Sequence, residues 1–175
     1  MALQAKEPAR ALIALGSNLG DRARLIGRAL RAVRESGCEI LRISRLYETA
    51  PVGAADRLFL NGAALIATDR SPWDLLRCLL EIERSLNRTR SAVTINRTID
   101  LDIILWRRPD GTYEQLEERD LILPHPRARQ RDFVMVPIAE IAPDWRFPGQ
   151  AYNLSEEIAL LGYRLEGAAI PPPGI

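Results

Sequence analysis

Apolar residues along the chain fall into short runs whose period changes between breaker-rich turns. Ala11-Leu-Ile-Ala-Leu15 is continuously apolar and closes on Gly16-Ser17-Asn18, the pattern of a buried strand ending in a turn. Asp21 stands in N-cap position ahead of Leu25, Ile26, Ala29, Leu30 and Val33, which recur at helical spacing until Gly37. Residues 38–48 alternate as one strand around Ile40, Ile43 and Leu46, and the turn-rich run 49–56 follows as a loop. A third strand is expected from Leu58 to Thr68. Ser71-Pro72 then supplies an N-cap with proline at the first helical position, opening a helix that carries Leu75, Leu76, Leu79, Leu80 and Ile82. An arginine-bearing loop, Arg88 to Arg97, leads to the apolar run ending at Trp106.

The order β-α-β-β-α-β predicts an α+β fold of the ferredoxin-like, split βαβ type: an antiparallel sheet with helices packed on it. Beyond it we expect a hairpin over 106–122, a short turn or helix over 127–132, a strand from Phe133 to Ile138, and a last helix to Leu161 capped by Asn153 or Ser155. Residues 10–165 read as one domain. Residues 1–9 look like a loose leader, and 166–175, ending in Pro-Pro-Pro-Gly-Ile, like a tail with little means of packing.

The run ending at Trp106 carries the most chemistry. Its side chains alternate, so Ile99, Leu101, Ile103 and Leu105 should share one face and Asp100 and Asp102 the other. Residues two apart on a strand face are separated by roughly 6.5–7 Å, a spacing from which two carboxylates can converge on divalent cations. An unpartnered charge in an apolar strand is costly, so a cation is expected there. Pairing with arginine is the alternative. Arg97 at the strand's entrance suggests that the bound species is also anionic.

Composition narrows the choices. A net charge of +1 leaves no electrostatic footprint for nucleic acid or a membrane surface. Lys6 is the only lysine, so no Walker A loop can form, and any phosphate chemistry must rest on arginine, metal and backbone amides. Cys38 and Cys78 match no metal or redox spacing and read as buried free thiols. With neither a signal-peptide pattern nor a membrane-length apolar run, a cytoplasmic protein is expected.

Eight pieces in order resemble one family. They are Ala14-Leu-Gly-Ser-Asn18, Tyr47-x-Thr49-x-Pro51-x-Gly53, Phe59-Leu-Asn61, Ile82-Glu83, Arg88-x-Arg90, Arg97-Thr-Ile-Asp-Leu-Asp-Ile103, Pro124-His125-Pro126 and Arg131-x-Phe133-Val. Together they resemble 6-hydroxymethyl-7,8-dihydropterin pyrophosphokinases, which transfer pyrophosphate from ATP to a pterin alcohol in folate biosynthesis. The resemblance implies two magnesium ions on Asp100 and Asp102, with Arg88 and Arg97 clamping the ATP phosphates at the reacting centre. It implies ATP contacts from Glu83, Arg90, Ile103, Arg119, His125 and Arg131. It places the pterin between Phe59 and Phe133, with Asn61 on its polar edge and Thr49, Pro51 and Val52 in a loop that closes over it. These roles suit the residues: guanidinium binds oxyanions bidentately, and an amide offers both donor and acceptor to a heterocycle edge. Small-molecule substrates, no nucleic acid, no membrane and a monomer are expected.

The chain departs from the family pattern in two places. The family usually carries Arg-Trp-Gly-Pro before the arginine matched by Arg97; here Val93-Thr94-Ile95-Asn96 stands there, and the loop from Arg90 is one residue shorter. Near 119–122 Asp120 takes the place of an arginine, with Arg119 displaced by one. Slower turnover or weaker ATP binding is expected. Competing readings are a catalytically weakened homologue that still binds ATP or pterin, a metal-dependent phosphohydrolase using the aspartate pair, and an RNA-binding module of the same strand order. The last is disfavoured by the near-neutral charge and the lack of interleaved strand aromatics.

Overall fold

The computed structural model describes residues 7–51, 55–88 and 96–175. Strand β1 (Ala9–Ser17) leads into helix α1 (Arg22–Glu35), followed by β2 (Glu39–Ile43), β3 (Leu46–Thr49), β4 (Phe59–Thr68), α2 (Pro72–Ser85) and β5 (Asp100–Arg107). Next come a small hairpin, β6 (Leu116–Glu118) with β7 (Leu121–Leu123), a 3-10 turn (Ala128–Gln130), α3 (Asp132–Ile141), α4 (Leu154–Leu161) and β8 (Ala169–Ile170). The main sheet runs β5-β1-β4-β3-β8, with β2 also on β4, and every pairing is antiparallel.

The caps work as the residue types dictate. Asp21 accepts from the Arg24 N–H and Ser71 from the Asp74 N–H, and Asn153 forms a reciprocal capping box with Glu156. The single strand expected over 38–48 is broken into β2 and β3 at Ser44-Arg45. There the buried Ser44 hydroxyl donates to the Arg45 carbonyl and accepts from the Ala63 N–H, at 2.7 and 2.9 Å. A side chain that bonds its own backbone offers the chain an alternative to the ladder.

Three layers result. On one sheet face Ile26, Leu30 and Val33 of α1 and Leu75, Leu79 and Ile82 of α2 pack on Ile13, Leu15, Ile66, Leu101 and Ile103. On the other, Val134, Met135, Ile138 and Ile141 of α3 and Leu154 of α4 pack on Leu12, Ala63, Leu65 and Leu105. Leu105 is thus on the opposite face from Ile103, contrary to the simple alternation expected. The register of β5 against β1 shifts where Leu12 pairs Leu105 and Ile13 pairs Ile103, so Ile104 is an extra residue that flips every later side chain.

The strand expected from Phe133 to Ile138 is helical. A six-residue apolar run cannot separate the two periods by itself. The buried set Val134, Met135, Ile138 and Ile141 makes a helical stripe, and Pro137, which cannot donate to a sheet ladder, sits inside α3. The tail 166–175, expected to have little means of packing, adds β8 to the edge of β3.

Candidate active site

The site lies where α3 stops covering its face of the sheet. The pairings place Asp100, Gly16, Asn61 and Tyr47 in one row across β5, β1, β4 and β3. Gly16 is the low point of that row. A Cβ there would lie 3.0 Å from Asn61 Oδ1 and 3.7 Å from Asp100 Cβ, so only glycine leaves the floor open between the amide and the carboxylate. Asn61 Nδ2 donates to Thr49 Oγ1 at 2.7 Å, fixing the amide's orientation.

A cavity of about 430 Å³ stands on this floor, lined among others by Thr49, Phe59, Asn61, Asp100, Asp102, His125 and Phe133. Arg88, Arg97, Arg127 and Arg131 also line it, so four guanidinium groups face two carboxylates and an anionic ligand is favoured. A second cleft of about 980 Å³ adjoins it through the shared residues Arg88 and Asp102. Trp73, Leu76 and Leu80 of α2 form an apolar wall of this cleft, with Arg84, Arg119 and Asp120 at its polar side.

The two aspartates have different surroundings. Asp100 is bracketed by Arg88 at 2.7 Å and Arg97 at 2.6 Å. Asp102 has no hydrogen bond or ion pair among the described residues. Burial first, and the Asp100 charge second, push its pKa up to about 6. Arginine pairing therefore accounts for one carboxylate and not the other. The donor set of Asp100 and Asp102 fits a hard divalent cation that takes its remaining oxygens from a phosphate ligand and water.

Glu83 explains how Arg88 is held. Its carboxylate, 2 % exposed at the residue level, accepts from the Arg88 guanidinium and from the Leu101 N–H at 2.7 Å, joining the end of α2 to β5. Burial raises its pKa, while these donors oppose the shift. Expected to face adenosine, Glu83 lies in the lining of the larger cleft but chiefly braces a neighbour.

The bulge at Ile104 also serves the site, because the Ile104 carbonyl accepts the His125 N–H at 3.0 Å and seats the turn bearing the only histidine. Burial, then Arg131 and Arg127, lower the His125 pKa, so the ring is neutral at pH 7. Nδ1 accepts from the Arg127 N–H at 3.2 Å, which leaves the ring proton on Nε2.

Asn18 organises the surrounding loops. Its Oδ1 accepts the Arg97 N–H at 2.7 Å and its Nδ2 donates to Asn96 Oδ1 at 2.6 Å; Asn96 Nδ2 in turn donates to Asp56 Oδ1 at 2.7 Å. Asn96 is thus the hinge of a chain linking the phosphate-side loop to the segment after the Thr49 loop.

Of the residues singled out from sequence, Thr49, Phe59, Asn61, Arg88, Arg97, Asp100, Asp102, His125, Arg131 and Phe133 meet in the smaller cavity. Glu83 and Arg119 line the larger cleft. Pro51 lies behind the Thr49 loop, in a separate cavity. The Ile103 side chain is in the core, so only its backbone, on the edge strand, could meet a nucleotide. Val52, Arg90 and most of the atypical 91–96 run fall outside the described residues. Sequence reading passed over Gly16, Arg127 and the Trp73, Leu76, Leu80 wall. The signal for the wall was a helix stripe wider than core packing needs; for Arg127 it was adjacency to Pro-His-Pro.

Comparisons with known proteins show the family and the fold. The family model described as 7,8-dihydro-6-hydroxymethylpterin-pyrophosphokinase (HPPK) matches residues 12–143. The 2-amino-4-hydroxy-6-hydroxymethyldihydropteridine pyrophosphokinase of Bacillus subtilis is 43% identical over 133 residues, covering 75% of this chain and 77% of that one. The Pseudomonas aeruginosa protein of the same name is 38% identical over 165 residues, covering 91% and 98%. Among solved structures, the wild-type HPPK-DHPS of Plasmodium falciparum superposes with a TM-score of 0.66 at 13% identity, covering 91% of this chain. This chain spans only 42% of that longer one, and at such identity the likeness speaks to the fold.

Proposed function

The chain belongs to the 7,8-dihydro-6-hydroxymethylpterin-pyrophosphokinase family, which makes it an ATP-dependent diphosphotransferase of folate biosynthesis, and we propose that the residues around Asp100 and Asp102 carry the transfer. The products are the pterin diphosphate and AMP. The observation that carries the assignment is the unequal aspartate pair: Asp100 held by two arginines, and Asp102 without a partner among the described residues, at the junction of two cavities.

In this reading the smaller cavity takes the pterin and the reacting phosphates, and the larger cleft takes the adenosine half against Trp73, Leu76 and Leu80. Phe59 and Phe133 supply aromatic surface for the heterocycle, and Asn61, held by Thr49, meets its hydrogen-bonding edge. Pro51 and Val52 belong to the loop on the pterin side. Two magnesium ions held by Asp100 and Asp102 would neutralise the phosphate charge and align the β-phosphorus with the pterin hydroxyl. Arg88 and Arg97 exchange Asp100 for phosphate oxygens, so both guanidinium groups stay paired throughout. His125, neutral with its proton on Nε2, donates to a phosphate oxygen, and Arg90, Arg119, Arg127 and Arg131 add positive charge along the polyphosphate. Ile103 offers its backbone to the nucleotide. No general base is required, because positioning and charge stabilisation dominate phosphoryl transfer.

We propose a monomer as the working unit. No described helix is long and apolar enough to cross a membrane. The two unpaired buried thiols, Cys38 and Cys78, support a reducing, cytoplasmic setting. The direct test mixes the protein with MgATP and 6-hydroxymethyl-7,8-dihydropterin and follows AMP and pterin diphosphate. Formation of both is expected. Phosphate release without pterin would indicate a hydrolase instead, and no product at high enzyme concentration would refute the assignment.

A further inference from the structure

The C-terminal segment lies beyond the residues matched by the family model, 12–143, yet it is tied to the candidate pterin loop from behind. Tyr163, just past α4, donates its hydroxyl to the Arg129 carbonyl at 2.9 Å and packs against the α3/α4 layer. The chain then crosses the open sheet edge. The Glu48 N–H donates to the Ala168 carbonyl at 2.9 Å, and Leu46 and Tyr47 pair with Ile170 and Ala169. Beyond this crossing Ile175 packs against the α1/α2 layer, and Pro173 lies against Gly27, where an added Cβ would be 3.2 Å from it. Both ends of the segment are therefore anchored, on opposite faces of the sheet.

Gly167 is the point of closest approach. A Cβ at this position would stand 1.7 Å from the Glu48 carbonyl oxygen and 2.8 Å from its carbon. Those atoms are backbone, so no rotamer change relieves the overlap, and any side chain must push the segment off β3. Directly beside this contact Arg164–Gly167 face Thr49, Ala50 and Pro51 across a cavity of about 520 Å³. Thr49, Ala50 and Phe133 line both this cavity and the smaller active-site cavity.

We propose that residues 164–175 act as a strap that sets the position of the Thr49–Pro51 loop, with Gly167 as a positioning residue for the pterin substrate. The proposal rests on the assignment of that loop to the pterin side. Without the strap β3 becomes an edge strand whose one remaining ladder is with β4; Tyr47 and Glu48 keep their side-chain bonds to Glu140 and Arg22, but the last residue, Thr49, loses the support that keeps its hydroxyl on Asn61. No described residue of the strap lines the nucleotide cleft along α2, which should not register its loss.

The test uses full-length Gly167→Ala and Gly167→Val, with Gly174→Ala as a control in the same segment, since a Cβ there meets nothing within 4 Å. Both Gly167 variants should raise the KM for the pterin by about fivefold or more, Val more than Ala, with kcat and the KM for ATP nearly unchanged. Gly174→Ala should behave as wild type. Amide hydrogen exchange read at Tyr47–Ala50, without substrates, should accelerate by about tenfold or more in the Gly167 variants only. Unchanged exchange overturns the strap whether or not the wild type transfers pyrophosphate, so the two readings fail separately. A parallel rise in both KM values, or loss of the whole fold, would also overturn it.

Discussion

At the scale of single residues, the site's chemistry turns on how two nearly adjacent aspartates differ. Asp100 is neutralised by Arg88 and Arg97, whereas Asp102 is left to burial and to repulsion from its neighbour. Asp100→Asn and Asp102→Asn should each lower kcat by about 100-fold or more, the scale expected when one preorganised electrostatic group is lost, read as AMP formation. Asp102 also makes a stability prediction. Its folded pKa, about 6, lies above the ordinary 3.8, so the folded state binds the proton more tightly than the unfolded chain. Its favourable contribution is complete below about pH 4 and is lost as pH rises through about 6. In metal-free buffer, Asp102→Asn should therefore gain in urea midpoint relative to wild type between pH 4 and pH 7. A constant difference across that window would show that Asp102 is not perturbed. Asp100 and Asp102 were both legible in the sequence, since charged residues inside an apolar strand demand an explanation. That only one of them would be paired was not, because the choice depends on Arg88 arriving from the end of α2 and on which aspartate the neighbouring Arg97 turns to.

At the scale of elements, the structure shows what holds the catalytic groups in place. The bulge at Ile104 lends a carbonyl to the His125 turn, and Glu83 joins the end of α2 to β5 through Arg88 and Leu101. Neither device has a local sequence signal, because each depends on which strand lies alongside. Glu83→Ala should destabilise the protein by about 2 kcal/mol, measured by urea unfolding at pH 7, because the buried Leu101 N–H loses its acceptor and Arg88 keeps only Asp100. The Asn18-Asn96-Asp56 chain does similar work between loops. Asn96 stands where the family usually has proline, and its amide bonds both Asn18 and Asp56. Asn96→Ala removes two side-chain hydrogen bonds and should raise the KM for both substrates by roughly tenfold, with a change in melting temperature of only a few degrees. An unchanged KM for either substrate would uncouple the two loops. The misread element, α3, belongs here too. Phe133-Val-Met-Val-Pro-Ile is apolar at almost every position, so neither period is visible within it, and only the layer it covers decides that it is a helix.

At the scale of the whole molecule, two helical layers clasp one antiparallel sheet and leave one end of the α3 face uncovered for substrates. Ligands that bind only this assembled state must stabilise it. Saturating MgATP should raise the melting temperature by an amount corresponding to about 2.7 kcal/mol at 100-fold excess over Kd, and ATP in EDTA should give a much smaller shift. Equal shifts with and without the divalent ion would argue against metal-assisted binding at the aspartate pair. The sequence by itself determined the strand and helix order as far as β5, apart from the break between β2 and β3, the caps at Asp21 and Ser71, and most of the charged, aromatic and amide residues that meet in the smaller cavity. It could do so because period, capping and motif spacing are local properties. Only tertiary structure decided the face switch at Ile104, the helical state of α3, the second cleft along α2 and the docking of the C-terminal segment. Each of these is a contact between segments far apart in the chain, and its stability comes from the partner surface. Gly167 shows this most clearly: its need for a missing side chain exists only because the Glu48 carbonyl lies against it.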